Sequence, residues 1–316
     1  MNKTLRGSIW GIISAVSYGM NPLGALYLYQ DGINAHTVLF YRFALAAILL
    51  AGLMLMKRMR FAVTLRQGSI LAVLGILFGL SALCLYESFH HMSAGIACSL
   101  LFLYPIMVAI LMAVFFHEKL TRLTLFSILL ALGGIALLYK GEGKALLSTW
   151  GVSLVMLSSL TYALYIVIIN RAHLGMHVIE MTFHIVIFCA LTIALSSFGG
   201  SDTQLQLLTT ARTWFFALLL ALFPSLISLI TMTLAVRDIG STPTAIMGAL
   251  EPIVAVLIGC CLFGEPFSTR YAAGILLILT AVILIILSKA LTLRRLARLL
   301  RRLGLKRHHK TWFWKA

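Results

Sequence analysis

Charge is scarce in this sequence. Only 11% of its 316 residues are Asp, Glu, Lys or Arg and 61% are hydrophobic, where soluble domains carry about 25% charged residues. A water-soluble fold of this length would lack the polar side chains to cover itself. Strands of about ten residues alternating apolar and polar, the mark of a membrane β-barrel, are missing too. The apolar runs are continuous and extend for about 20 residues, the length of a helix that crosses roughly 30 Å of hydrocarbon.

Cysteine is sparse and chemically quiet. Cys84, Cys98, Cys189, Cys260 and Cys261 all lie inside apolar runs, without spacing for a disulfide framework or a zinc site, and behave as small apolar side chains. No Gly-x-x-x-x-Gly-Lys stretch is present, which speaks against ATP-driven transport. His36, His91 and His184 have no Glu-x-x-His companion, Glu87 and His90 have that spacing without the second histidine of a His-Glu-x-x-His zinc helix, and no Gly-x-Ser-x-Gly elbow appears. Intramembrane hydrolysis needs a nucleophile–base pair or a metal set, so the expectation is no enzyme, no catalytic residue, no metal and no cofactor. The net charge of +16 is not a nucleic-acid footprint, because ten of the 25 Lys and Arg residues fall between Lys289 and Lys315.

What is present is a succession of spans: 7–29, 35–56, 67–89, 93–116, 122–139, 149–170, 177–197, 212–235, 242–263 and 268–289. The first follows Lys3 and Arg6 as a signal peptide would, but nine further spans follow and it reads as a membrane-retained anchor. Cytoplasmic flanks are enriched in Lys and Arg. With the N-terminus inside, the inner segments hold 20 of the 25 basic residues and the outer ones hold Lys140, Lys144, Arg212 and Arg270. Both termini are then cytoplasmic.

The second half repeats the first. Shifted by 147 residues, 94–121 falls on 241–268 without a gap: Pro105–Ile106 on Pro252–Ile253, Phe116 on Phe263, Glu118 on Glu265, Thr121 on Ser268. Trp10–Gly11 also resembles Trp150–Gly151 at a different offset. Five helices per half is odd, so the halves lie upside down relative to each other. Inverted repeats around a midplane site are a recurrent plan of secondary transporters. The expected fold class is an all-α integral membrane protein of ten transmembrane helices in two inverted five-helix repeats, 7–139 and 149–289, followed by a tail at 290–316.

Several stretches carry a family resemblance: Tyr41–Arg42–Phe43 in the second helix, Pro105 with Glu118–Lys119–Leu120–Thr121, Glu251–Pro252–Ile253, and Gly264–Glu265–Pro266 before the Gly274 helix. At this spacing and in duplicate, the chain over roughly 7–288 resembles the drug/metabolite transporter superfamily, specifically its EamA-type ten-helix carriers. The resemblance implies a secondary transporter in the cell membrane (the inner membrane of a bacterium). It would export amino acids or related small metabolites by alternating access, often against proton entry. An uncoupled facilitator or importer shares the architecture, and a non-transport membrane protein is the reading from another class.

An ionisable group inside a bilayer costs at least about 2.5–3.5 kcal/mol on insertion scales, which makes each one a functional candidate. Glu251 lies about ten residues into the ninth helix, near the midplane at about 1.5 Å per residue. The following Pro252 deprives a carbonyl near Met247–Gly248 of its donor and leaves it able to face a cavity. Glu251 either couples transport to protons or contacts substrate, or else it braces a kinked helix. Arg42 could neutralise a substrate carboxylate, pair with Glu87 or snorkel outward. Glu180 and His184, one turn apart on the seventh helix, form either a proton relay, with His184 matched to Glu251 by depth, or a packed polar pair. The cavity lining is expected from Ser14, Tyr18 and Asn21 beside Pro22, from Ser99, Phe102 and Tyr104, from Ser158, Tyr162 and Tyr165, and from Ser225 and Ser228 beside Pro224. Gly7/Gly11 and Gly75/Gly79 match a close-packing motif. Glu118 and Glu265 sit at helix ends, where capping is the expected role.

From Leu291 to Leu305 the leucines at 293, 296, 300 and 303 form one stripe against Arg294, Arg295, Arg298, Arg301 and Arg302. Such a helix suits an anionic cytoplasmic leaflet, where each basic residue contributes roughly 1 kcal/mol, with His308, His309 and Trp312–Phe313–Trp314 as a further anchor. The expected partners are a small-molecule solute and membrane lipids, with no nucleic acid, and the sequence leaves the oligomeric state open. The topology makes a direct prediction. A phosphatase fused at the C-terminus should be inactive, and one inserted at Gly32 active; the opposite pattern in whole cells would invert the assignment.

Overall fold

The computed structural model describes residues 3–117, 122–139, 148–172, 174–200, 203–240, 244, 246–265 and 267–302, apart from the side chains of 170 and 288–302. All regular structure among them is helical. The helices are α1 (Lys3–Gly19), α2 (Asn21–Gln30), α3 (Ala35–Met56), α4 (Leu65–Ser88), α5 (Ala94–Leu101), α6 (Tyr104–Phe116), α7 (Arg122–Tyr139), α8 (Thr149–Ala172), α9 (Val178–Ser196) and α10 (Ala211–Leu220). A π-helical turn, Ala221–Ile227, leads into α11 (Ser228–Ile239), followed by α12 (Leu250–Phe263) and α13 (Thr269–Arg302). Among the described residues, seven helical units are long and apolar enough to cross a bilayer: α3, α4, α5 with α6, α8, α9, α10 through α11, and α13. Two shorter apolar helices, 122–138 and 250–263, accompany them. The protein is a multi-pass membrane protein.

The starts of these helices are written in the sequence. Asn34 accepts from Thr37 N at 2.8 Å, Thr64 and Gln67 form a capping box, and Thr210 caps α10. These side chains satisfy amides that a helix leaves open at its first turn. Pro22 and Pro105 sit in the first turns of α2 and α6, where a missing N–H costs nothing.

Hydrogen bonds between distant residues define two ends of the bundle. At one, Arg6 pairs with Asp238, Arg60 N donates to Glu180, and Gln67 donates to Leu174 O. At the other, Asn34 donates to Gln204 O, and Arg270 donates to Leu137 O. The chain therefore runs from the Arg6 end to the Gln30 end through α1 and α2, while α8, the first helix of the second half, runs the other way. The halves are inverted.

Small residues let the helices touch. Ser14 donates to Ser228 O at 2.9 Å where α1 meets α11, and Ser158 donates to Ser81 O at 2.7 Å where α4 meets α8. These are one contact made twice, since Ser81 and Ser228 are 147 apart while Ser14 and Ser158 are 144 apart. The register of the first helices is therefore 144, shared by Tyr18 and Tyr162. The match of Trp10–Gly11 to Trp150–Gly151, at 140, is one helical turn out of that register. Gly7 and Gly11 lie against Ile239 and Met247, and Gly75 against Phe188, so these glycines serve contacts within the chain. Between α7 and α13, Gly134 faces the backbone of Gly274. In lipid such contacts carry helix association, because the solvent itself is apolar. A Cβ at Gly134 would stand 2.8 Å from Gly274 O. Gly134→Val should therefore cost about 1–3 kcal/mol, as overpacking does, read as a lower melting temperature in detergent; an unchanged value would refute the contact.

Candidate functional site

Four helices are broken or distorted at similar depth, and each break involves proline. Between α1 and α2, Met20 adopts φ −76 and ψ 0 two residues before Pro22. Phe102–Leu103 separate α5 from α6 ahead of Pro105, and the turn Gly248–Ala249 precedes α12 with Pro252 in its first turn. Pro224 lies inside the π-helical turn. A proline takes one N–H out of a helix, and inside lipid the carbonyl left over must find another donor or face a cavity. Here donors are supplied. Ser159 of α8 donates to Leu101 O at 3.1 Å, the carbonyl that Pro105 cannot serve. Ser225 donates to Leu220 O at 3.2 Å, the one Pro224 frees. Gly248 O is taken by Glu251 N at 2.9 Å. The expectation that the Gly248 carbonyl faces the cavity unserved is thereby corrected.

The breaks surround one cavity of about 150 Å³. Of the residues named from sequence, Tyr18, Asn21, Arg42, Phe102, Tyr104, Tyr162, Tyr165, Ser225, Ser228 and Glu251 line it. One wall is aromatic. Tyr104 meets Tyr162 edge-on at 4.7 Å, Tyr162 stacks on Tyr165 at 5.7 Å and 7°, and Phe78 lies 5.3 Å from Tyr165 and 6.0 Å from Phe43.

Arg42 is 3% exposed, and Glu87, one of its expected partners, does not hold it. Its Nε donates to Ser225 Oγ at 3.2 Å and its Nη1 to Tyr86 OH at 3.0 Å. Tyr86 OH donates onward to Asn21 Oδ1 at 3.1 Å, and Asn21 Nδ2 donates to Tyr18 O at 2.8 Å, in the α1–α2 break. Neutral groups thus hold the guanidinium, and among the described residues it forms no ion pair. Glu87 instead faces His36 at 3.6 Å. Glu251 reaches the cavity from the first turn of α12, and among the described residues its carboxylate has neither an ion pair nor a hydrogen bond. Tyr18 lines the same cavity as Arg42 and Glu251. The cavity therefore has a cationic pole, an acidic pole and an aromatic side.

Other sequence expectations fail for local reasons. Ser99 Oγ donates to Gly95 O at 2.8 Å within α5, so this hydroxyl is spent on its own helix and Ser99 does not line the cavity. His184 is not a partner of Glu251. Its Nδ1 lies 2.7 Å from Glu180 O and its Nε2 3.0 Å from Phe61 O. Glu180 closes a capping box with His177 and accepts from Arg60 N at 3.3 Å. Both residues pin the 57–64 segment at the Arg6 end, and neither lines the cavity, which fits the packed polar pair of the two expectations. Ser14 and Ser158 are helix-contact residues, and Ser228 shares its hydroxyl with Ser14 at 3.3 Å. Glu118, Thr121 and residues 303–316, including the aromatic end of the tail, lie outside the described residues. Phe78 and Tyr86 were not picked out from sequence, and Phe43 only as part of the Tyr41–Arg42–Phe43 stretch, because an aromatic on a membrane helix looks like packing. Among the described residues no group of three or more His, Cys, Asp or Glu is placed to hold a metal ion.

The arrangement predicts that Arg42→Gln weakens binding of carboxylate-bearing solutes at least about tenfold, or ~1.4 kcal/mol. Tyr86→Phe, which removes one of the two bonds orienting the guanidinium, should have a smaller effect in the same direction. Radioligand binding to purified protein checks both; equal affinity in Arg42→Gln and wild type would remove the cationic pole from the site.

No curated protein matches the chain. A solved structure described as "Crystal structure of protein" is similar in fold, with a TM-score of 0.62 at 16% identity, covering 92% of this chain and 98% of that one. The EamA-like transporter family matches twice, over residues 5–140 and 149–287. The chain belongs to that family, within the drug/metabolite transporter superfamily, and is a membrane transporter of this type.

Proposed function

We propose that the chain is a secondary carrier that exports an amino acid or a closely related zwitterionic metabolite by alternating access. The observation that carries the reading is the pair of unpartnered charges on one cavity. Arg42 is held by neutral groups, and Glu251 has no protein partner among the described residues. Burying either charge is costly unless something pairs with it. A solute with a carboxylate and an ammonium group neutralises both at once, its carboxylate at Arg42 and its ammonium at Glu251. The aromatic wall of Phe78, Tyr162 and Tyr165 then lies against the solute's body.

Glu251 is also the candidate for proton coupling. When the ammonium group leaves, a proton is the smallest partner that can replace it, and the empty carrier can return with the carboxyl neutral. The rest of the reading is topological. It comprises ten spans in two five-helix repeats, 7–139 and 149–289, with both termini in the cytoplasm and the basic tail 290–316 on the anionic leaflet of a bacterial inner membrane. The charge distribution, with 20 of 25 basic residues on the inner side, supports that placement.

Counterflow in proteoliposomes tests the function, with labelled amino acids screened against protein-free vesicles. Saturable exchange of one solute class is the expected result. No exchange across a broad panel by folded, inserted protein would overturn the reading. Glu251→Gln then separates coupled from uncoupled transport: either carrier loses solute affinity with the ammonium's partner, at least about tenfold for ~1.4 kcal/mol, but only a proton-coupled one also loses the acceleration that an imposed pH gradient gives wild type.

A further inference from the structure

The cavity lies between two groups of packed helices. In one, α1 packs on α11 and α12, and α2 on α10; in the other, α4 packs on α8 and α9, and α5 and α6 pack on α8, with α5 also packed on α12, where Gly95 meets Val256 and the two groups touch. At the Arg6 end, two polar contacts among the described residues each stay within a group. Arg6 pairs with Asp238 through Nε at 2.7 Å and Nη2 at 3.1 Å, both ends belonging to the first group, and Gln67 donates to Leu174 O within the second.

At the Gln30 end one carboxylate crosses between the groups. Gly264, at φ +64, turns the chain at the end of α12, and Glu265 N donates back to Gly259 O at 3.0 Å. The half-buried Glu265 side chain then folds beside Gly259, where a Cβ would collide with it. It accepts from Ala94 N at 2.7 Å and Gly95 N at 3.4 Å, at the start of α5 in the other group and the other repeat. Of the other amides at the start of α5, Ile96 N is served by Ser93 Oγ, and Ala97 N makes the first bond of the helix itself, to Ser93 O. Two of the four first-turn donors of this helix are therefore satisfied from across the cavity's end. A carboxylate there gains charge-assisted hydrogen bonds and the favourable end of the helix dipole.

We propose that Glu265 is a latch that closes the cavity at the Gln30 end, and that opening to that side requires it to release the α5 amides. The inference rests on the alternating-access reading. Release is reversible because the contact sits at a helix end rather than at the midplane, so water can replace each partner. The bond from Tyr29 OH to Tyr86 O at 3.0 Å, with Tyr29 stacked on His90 at 4.4 Å, spans the same two groups and closes beside it.

The test is a distance, not a flux. Spin labels at the exposed positions His91 and Phe267 flank the latch on its two sides, and the full chain is measured in lipid nanodiscs by electron–electron double resonance. Wild type should give a dominant short distance. Glu265→Ala should add a longer population, and Glu265→Gln, which keeps one acceptor but loses the charge, a smaller one. Ser93→Ala weakens the start of α5 without touching the crossing contact, and should leave the distance as in wild type. An unchanged distribution in Glu265→Ala overturns the proposal. So does an equal opening in Ser93→Ala, which would assign the effect to fraying of α5. A carrier that fails counterflow but shows the expected distances would overturn the proposed substrate class and leave the latch standing.

Discussion

Backbone polar groups cannot be left unpaired in hydrocarbon, and much of this molecule follows from that constraint. Proline interrupts four of its helices, and each interruption creates a demand for a donor or for a cavity. Ser159 and Ser225 meet two of these demands, and a tightened turn at Gly248 meets a third. The interruptions are consequently confined to one layer, where the helices face each other and not the lipid. That layer is the cavity. Broken helices and binding site are thus one structural fact seen from two sides.

The same economy governs charge. A buried Arg42 might have been expected to sit against an acid, but Ser225 and Tyr86 hold it with neutral acceptors, so its charge remains available to a solute. Ser225 does double service, since the hydroxyl that accepts from Arg42 also donates to the carbonyl freed by Pro224. A π-helical turn is a frequent companion of functional positions for this reason: it supplies a backbone acceptor that an ordinary helix keeps for itself. Tyr86 likewise joins Arg42 to Asn21, so the orientation of the guanidinium and the geometry of the α1–α2 break are set together.

Internal duplication explains why the two helix groups resemble each other. The serine contacts Ser14–Ser228 and Ser81–Ser158 are the same contact in inverted copies. The copies are not equal, however. Ser159 serves the break before α6, while the corresponding place beside the break before α12 is Ala15, and there Glu251 N closes the turn instead. That asymmetry accompanies the placement of the acid in only one copy, where Tyr104 stands opposite Glu251 in the repeat.

What could be read from the sequence was whatever depends on one helix and its solvent. Run lengths and the scarcity of charge gave the membrane, the ungapped 147-residue shift gave the repeat, and Pro22 and Pro252 pointed to two of the four breaks, while 93–116 and 212–235 read as unbroken spans. The polar and aromatic residues near those breaks, Tyr18, Asn21, Tyr162 and Glu251 among them, were legible as a lining for the same reason. Pairings were not. Arg42 with Glu87, and His184 with Glu251, were matched by depth, but two residues at one depth meet only if their helices turn those faces to each other. Helix rotation in lipid is set by small-residue contacts such as Gly134 against Gly274, spread over residues far apart in the chain. Ser99 shows the limit within a single helix, because its hydroxyl had the choice of a cavity or its own backbone and took the backbone. Sequence by itself therefore determined the membrane environment, the duplication and the breaks at Pro22 and Pro252, each a local property of the chain. Only the tertiary structure decided which charges remain unpaired, because pairing depends on the rotation and tilt of helices that no local pattern records.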